Sequence, residues 1–575
     1  MSSEIGKHRI WKTALPYYAI SLALGLTQAW ANRFYMGNDG VSYLDMADAY
    51  LRGDLHAAIN SSWNPLYAWL ISLDFLILRP SPYWEYPAIQ LLNFAIYGVT
   101  LASFEYFLRG WLTWKQGDEI AIRIVAYGLF IWTSLILIGV WTTNADMLVA
   151  ACIYGTLGLL LRAQSMRAAS IPTSICLGAV LAAGYCCKAV MFPLSLALLL
   201  VAWIILRWRR ALTATFVFVL LSASLIVALS ISSGHPTFGD TGRVNYAWYV
   251  NGVAFRWWQG GPDSAGQPLH PPRIALSSPR VYEFGGVFPQ ATYPIWYDFA
   301  YWYQGMHVRF NPQKEPGVIW FNLKWIIKLL GRDGGGFLLG CGTCLLLCKK
   351  RAQAFKDLIS MWPVWAISVP AILLYCAVHI EARYIGAFAE VLLLAGYTAF
   401  NFSGKSWAAG IVAMSLLWAI LFAPVPTDGA RYLPSHSGST NVSWYAATEL
   451  QKLGLQTNDS VGSVCYSNRR NVLWARLARV HIVAETDWNV DFWQLSGADQ
   501  NRVLNALARS GARMAISDEA PPNPALASGW RQAGNTNYYA YSLSTLSSLS
   551  QNNGSVAGVS LRRNIETAHS FIGTR

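Results

Sequence analysis

The sequence predicts a mainly α-helical, polytopic membrane protein of about eleven transmembrane helices, followed by a small α/β domain. Three observations carry that fold class. Of 575 residues, 54% are hydrophobic and only 13% are charged, and the mean hydropathy is +0.31, which leaves too little charge for the surface of a water-soluble chain. Apolar runs long enough for a bilayer core of about 30 Å recur along the chain, with short basic clusters between them. From about residue 430 the composition turns to Gly, Ser, Asn and Thr, with short β-branched runs between helical patterns.

The first run, 14–32, follows Lys7, Arg9 and Lys12 and lacks a small-residue cleavage site, so it reads as a retained anchor. Further spans are expected near 86–107, 119–140, 146–163, 171–187, 189–206, 211–232, 334–349, 360–379, 384–401 and 406–424. The clusters Lys7/Arg9/Lys12, Arg109/Lys115, Arg162/Arg167, Arg207/Arg209/Arg210, Lys349/Lys350/Arg351/Lys356 and Lys405 then share one face, which the positive-inside rule makes cytoplasmic. The N-terminus is cytoplasmic in this reading. Loops 33–85, 141–145, 233–333 and 380–383, and everything after 425, face the outer side of a cell inner (plasma) membrane. Topology also accounts for the formal charge of +13, because the basic residues do not line one polar face and so do not imply nucleic acid.

Residues 64–78 are apolar but too short to span, and they are expected as an interfacial helix with Asn64 as N-cap and Pro65 at its first position. A second surface helix is expected at 318–330, where Lys324 and Lys328 stand among Trp, Ile and Leu. The domain plan is therefore a membrane domain over 1–425, an α/β domain over 430–545 and a flexible tail over 546–575. The α/β segment has no Gly-rich phosphate loop, so no nucleotide is assigned to it. Eight of nine cysteines lie in apolar runs, Cys465 being the exception, and no disulfide framework is implied. Cys341-Gly-Thr-Cys344 lacks a second ligand pair and reads as helix packing.

The candidate chemistry begins right after the first span, in Asn38-Asp39-Gly40-Val41-Ser42-Tyr43-Leu44-Asp45-Met46-Ala47-Asp48. On a helix over 40–51, Asp45, Asp48 and Arg52 share a face, which makes Asp45 and Asp48 solvated surface residues. Asp39 stands before that helix, and its position fits an N-cap and a catalytic base equally well. Thr142-Thr143-Asn144-Ala145-Asp146 brings a second carboxylate to the start of another span, again a capping position.

The order of these elements, D-x-x-x-Y at Asp39 and Tyr43 followed by N-P-L-Y-x-W at Asn64 to Trp69, resembles the GT-C glycosyltransferases over roughly residues 10–425. The resemblance is to the polyprenyl-phosphate-sugar-dependent branch that includes protein O-mannosyltransferases and aminoarabinose transferases. It implies that Asp39 is the catalytic base and Asp146 the family's second outer-loop acid. Where many members carry paired acids, this chain has Asp39-Gly40, which removes a second carboxylate from the first loop. His379-Ile380-Glu381-Ala382-Arg383-Tyr384 resembles the family's E-x-R-Y element. Its planar guanidinium suits a phosphate, so Arg383 is the expected holder of the donor's lipid phosphate, with Tyr43, His379, Glu381 and Tyr384 beside the substrate. Lys188, at an outward turn, adds a second positive charge or simply snorkels.

The implied reaction moves a sugar from a polyprenyl-phosphate donor to a lipid, glycan or protein acceptor at the outer face, with inversion. No metal or other cofactor is expected, and the Asp39–Asp146 pair is where a divalent cation would sit. A transporter or lipid flippase, and an O-antigen ligase or polymerase, are the rival readings. Ionisable residues gathered at one membrane boundary and the early Asp loop argue against both. Most of the aromatics at Trp248, Tyr249, Trp257, Trp258, Trp296, Tyr297, Tyr301, Trp302 and Tyr303 are expected in a membrane-interface belt.

Overall fold

The computed structural model describes residues 2–115, 118–165, 170–261, 265–400, 404–422, 440–464, 471–523 and 527–543, so Cys465 and the tail expected at 546–575 lie outside the described residues. The chain forms two units: Met1–Leu269 with Asp298–Asn441, and His270–Tyr297 with Val442–Arg575.

The first unit is helical. Its N-terminal half holds α1 (Ser2–Ala31), α2 (Asn38–Arg52), α3 (Leu55–Ala58), α4 (Pro65–Leu78), α5 (Glu85–Trp114) and α6 (Glu119–Ile131), which a π-helical stretch continues to Ile138. Then come α7 (Asp146–Ser165), α8 (Ile171–Cys187), α9 (Met191–Ile205), α10 (Trp208–Ser233) and α11 (Thr241–Tyr246). After α12 (Pro294–Tyr297), which belongs to the second unit, follow α13 (Glu315–Asp333), α14 (Gly335–Leu347), α15 (Arg351–Ser360), α16 (Trp362–Cys376), α17 (Ala382–Ala399) and α18 (Lys405–Phe422).

A helix lies over each of the eleven expected spans, but helix length alone does not carry that count. Among the described residues four helices, Glu85–Trp114, Glu119–Ile138, Asp146–Gln164 and Trp208–Ser233, are long and apolar enough to cross a membrane. They become five if α15 and α16, bent by 71°, form one span. The 15 residues of α9 and the 13 of α14 rise only roughly 20 Å, short of a bilayer core of about 30 Å.

Close helix contact explains the small residues. Gly178 on α8 faces α10, where an added Cβ would run into the Ala214 carbonyl and come within 2.8 Å of Val217 Cβ. The core also buries polar pairs. Glu105 on α5 bonds Arg123 at 3.1 Å and Tyr127 at 2.9 Å on α6, and Glu390 on α17 accepts from the hydroxyls of Thr133 and Tyr154, each at 2.5 Å. These bonds offset the cost of sinking carboxyl groups into an apolar interior.

Three expectations change in this unit. The helix that bears Asp39 starts at Asn38 and is capped by Gly37 without a side-chain bond, so Asp39 sits in the first turn and is not the N-cap. Asp45 is 5% exposed and not a surface residue, because α4 covers that region of α2, as the Ser72 hydroxyl bond to the Ala47 carbonyl shows. Asp48 is half-buried. Trp257, Trp258, Trp302 and Tyr303 are buried and not in an interface belt; Trp258 and Trp248 both pack on the Tyr303 ring, at 5.8 and 5.4 Å.

The second unit carries a seven-stranded sheet ordered β1-β2-β4-β3-β5-β7-β6. Its strands are β1 (Arg273–Ser277), β2 (Arg280–Glu283), β3 (Ser460–Ser463), β4 (His481–Thr486), β5 (Met514–Ser517), β6 (Trp530–Gln532) and β7 (Tyr539–Ser542). The middle strands β4, β3 and β5 are parallel, and an antiparallel hairpin closes each edge. Residues 270–297, part of the expected outer loop, supply one hairpin by pairing Val281 with Thr486. Val503, Leu504 and Leu507 of the helix Gly497–Arg509 pack into the core with Val281, Ala484 and Ala515 of the strands.

The glycine contact yields a prediction. Gly178→Ala should lower the thermal midpoint in detergent by the equivalent of about 1–3 kcal/mol, the usual overpacking cost. Gly98→Ala, with nothing within 4 Å of the new methyl, should leave it level or raised, since alanine is the better helix former. Equal shifts in the two variants would show that the α8 and α10 contact is not tight.

Candidate active site

Asp39, Asp146, Lys188, His379, Glu381, Arg383 and Tyr384 come together in one cluster of the first unit, although they are spread over some 350 positions of sequence. Chain ends bring them there. Asp39 lies in the first turn of α2, Asp146 opens α7, and Arg383 and Tyr384 lie in the first turn of α17, so three helices offer their N-terminal ends. The partial positive charge at such ends favours carboxylates and anions. Lys188 caps the C-terminal end of α8, and His379 and Glu381 occupy the link between α16 and α17.

Arg383 is the hub. Its Nε lies 2.7 Å from Glu381 Oε2 and 3.5 Å from Asp146 Oδ2, and its Nη2 lies 3.8 Å from Asp39 Oδ2. Lys188 Nζ bonds the other Asp146 oxygen at 2.6 Å and sits 3.8 Å over the ring of Tyr384, a cation–π contact. Tyr384 donates its hydroxyl to Glu381 Oε1 at 3.3 Å, and His379 Nε2 lies 3.5 Å from the same oxygen.

The Asp146 backbone N–H donates to the Asn144 side chain at 2.9 Å, and its carboxylate meets the two cations, Lys188 and Arg383. The two aspartates differ in access, since the Asp39 side chain is 33% exposed and that of Asp146 only 4%. Burial pushes the Glu381 carboxyl up, but the charge of Arg383 and the bonds from His379 and Arg383 outweigh it and hold the group well below the usual range. Burial pulls Lys188 down, helped by the like charge of Arg383 and opposed by Asp146.

Tyr43, one turn beyond Asp39, is buried with its ring 5.3 Å from Trp63 and 5.0 Å from Tyr67. Its place is the packing beneath Asp39. Among the described residues no group of three or more His, Cys, Asp or Glu side chains is arranged to hold a metal ion, and Arg383 touches both aspartates.

Several participants escaped the sequence reading. Tyr249 stacks on His379 at 4.0 Å and 4°, and Tyr375 stacks on Tyr384 at 5.0 Å. Gln90 on α5 donates to the carbonyls of Tyr35 and Trp141, both at 3.0 Å, and Asn93 one turn on donates to Thr142 at 3.3 Å. These bonds tie the loop before Asp39 to the loop before Asp146. The signal available was an amide pair three residues apart on an otherwise apolar helix, where polar groups are costly without a purpose.

The architecture is that of the GT-C fold, as the resemblance implied. The chain is similar to ArnT from Cupriavidus metallidurans in the apo state, with 11% identity and a TM-score of 0.53 over 93% of this chain and 99% of that one. For ArnT from the same organism bound to undecaprenyl phosphate the values are 10%, 0.50, 93% and 99%. At such identities the likeness is one of fold. A weaker likeness, TM-score 0.47 at 12% identity over 88% of this chain and 69% of the other, is to the archaeal oligosaccharyltransferase AglB from Archaeoglobus fulgidus. No protein-family model matches the sequence, and no curated protein does.

The pairing of Lys188 with Asp146 has a measurable sign. Asp146 holds the ammonium charged against burial, so Asp146→Asn should depress the Lys188 pKa further and raise the neutral amine fraction at any alkaline pH. Labelling of Lys188 by an amine-reactive reagent, read by peptide mass spectrometry, should speed up several-fold. An unchanged rate would mean that the ion pair does not govern Lys188.

Proposed function

We propose that this chain is an integral-membrane glycosyltransferase that transfers a sugar from a polyprenyl-phosphate donor to a lipid, glycan or protein acceptor at the outer face of the cell membrane. The observation that carries the reading is the convergence of Asp39, Asp146 and Glu381 on Arg383, with Lys188 beside them. That constellation supplies both halves of a displacement, a base for the acceptor and cations for a leaving phosphate. The ArnT structure that holds undecaprenyl phosphate supports a lipid phosphate as the carrier. Eleven spans, a cytoplasmic N-terminus and an extracytoplasmic second unit belong to the same proposal.

Asp39 is the base. It is the more accessible of the two aspartates, 33% exposed against 4% for Asp146, and it lies 3.8 Å from Arg383, within reach of the cation that meets the phosphate. It takes the proton of the acceptor hydroxyl or amine as that atom attacks the anomeric carbon. The bond from that carbon to the phosphate oxygen breaks, and the electron pair leaves with the phosphate. Arg383 and Lys188 stabilise the leaving charge, Arg383 through a fork of donors that matches two phosphate oxygens. Attack from the side opposite the leaving group inverts the centre. Asp146 and Glu381 orient the two cations.

Membranes of cells that lack the chain should accumulate a polyprenyl-phosphate sugar, and the parent protein should consume it. Asp39→Asn should fold and consume it at least roughly a hundredfold more slowly, the scale of lost general-base catalysis. Arg383→Lys should bind undecaprenyl phosphate more weakly, because a point charge cannot replace a bidentate fork. Parent-like turnover by Asp39→Asn would remove the base assignment, and failure of any lipid-linked sugar to accumulate would remove the reaction.

A further inference from the structure

Away from the ion cluster, the first unit has a groove of about 580 Å³, within the roughly 300–1,000 Å³ of small-molecule sites. Its walls are two helical stripes and a helix end. Leu26, Ala29 and Trp30 follow the spacing of one face of α1, with Arg33 in the turn just past its end, Pro87, Leu91 and Phe94 do the same at the start of α5 behind its cap Trp84, and Arg79 closes α4. The lining is graded along its length. Because α1 runs toward Arg33 and α5 runs away from Trp84, one end gathers Trp30, Arg33, Arg79 and Trp84 while the other holds Leu26, Leu91 and Phe94. Tryptophan and arginine belong at headgroup level and leucine and phenylalanine in hydrocarbon, so the groove repeats the polarity of a single membrane lipid.

The charged end is built to face an anion. The Arg33 guanidinium lies over the rings of Trp30 at 4.7 Å and Phe34 at 4.9 Å and bonds the Trp30 carbonyl at 3.0 Å, which fixes where its fork sits. Arg79 is exposed, in the left-handed conformation that ends α4, at φ 46°. No carboxylate lines the groove among the described residues. Two guanidinium groups at the polar end of an apolar slot select a negatively charged headgroup over a zwitterionic one.

We propose that this groove binds one anionic phospholipid, with an acyl chain along Leu26, Leu91 and Phe94 and its phosphate at Arg33 and Arg79. Gln90, which ties the loops of Asp39 and Asp146, also lines the groove, and none of the ion-cluster residues does, so the lipid contributes no group to the cluster.

The test is binding, and it does not depend on transfer activity. The full chain, purified in mild detergent, is titrated with phosphatidylglycerol and separately with phosphatidylcholine, with bound lipid counted by native mass spectrometry. Phosphatidylglycerol should bind about thirtyfold more tightly, the scale of two interfacial arginines. Arg79→Gln should reduce the preference, Arg33→Gln with Arg79→Gln should abolish it, and Leu91→Trp at the exposed wall should weaken both lipids with an unchanged thermal midpoint. Equal binding of the two lipids by the parent, a preference that survives Arg79→Gln at full strength, or full competition by water-soluble glycerol phosphate would overturn the proposal.

Discussion

The ion cluster depends on one side chain. Arg383 touches Glu381, Asp146 and Asp39 from the first turn of α17, and no two of those carboxylates come from the same helix. Without a shared cation, carboxylates drawn together in a poorly hydrated place repel one another, and leaving any of them unpaired costs several times a surface charge. The guanidinium is the residue type that can serve three partners at once, because its donors point in different directions from a flat, permanently charged group. Lys188 then takes the second oxygen of Asp146 and lies on Tyr384, so the most buried carboxylate is held from two sides.

Holding the aspartates in place falls to neutral amides. Gln90 and Asn93 reach the carbonyls of Tyr35, Trp141 and Thr142, and Gln28 on α1 both donates to Leu135 and accepts from Val140 N–H. A second fastening lies among the loops, where buried Asp298 takes the Ser61 N–H at 3.1 Å and the Ser62 hydroxyl at 2.5 Å. Burial pushes the Asp298 carboxyl up, and those bonds work against the shift. Trp63 follows directly, with its ring on Tyr43 and on Phe299, so the packing beneath Asp39 is tied to the loop that carries Asp298. Backbone carbonyls in a membrane protein's irregular segments need donors that water does not supply, and these side chains are the donors.

What could be read from sequence follows from rarity. In a chain so poor in charge, Glu381 and Arg383 beside a span and Asp146 at the start of another stand out, and the cluster they form was legible. Asp45 was not, because an amphipathic reading assumes that one face of α2 meets water, whereas both faces are covered. Helix starts misled too, since Gly37 caps α2 through its extended backbone and left no polar residue to mark the boundary. The hairpin at 273–283 depends on a strand some 200 positions later, a pairing that local pattern cannot reveal. Trp257 and Trp258 read as interface residues because Trp favours interfaces, but a long loop with several large rings can bury them against one another.

The charge count of the cluster bears on the proposed reaction. Asp39, Asp146 and Glu381 carry three negative charges against two positive ones on Arg383 and Lys188, so these five groups together are one charge negative. A phosphodiester donor adds one negative charge, and its departure as a monoester develops a second. The proton that Asp39 takes from the acceptor removes one negative charge in the same step. Base catalysis and leaving-group departure therefore compensate each other within the cluster, and neither requires the poorly hydrated site to hold a larger net charge afterwards than before. A base outside the cluster would give no such compensation, which is a physical reason for Asp39 to stand within reach of the cation that meets the phosphate.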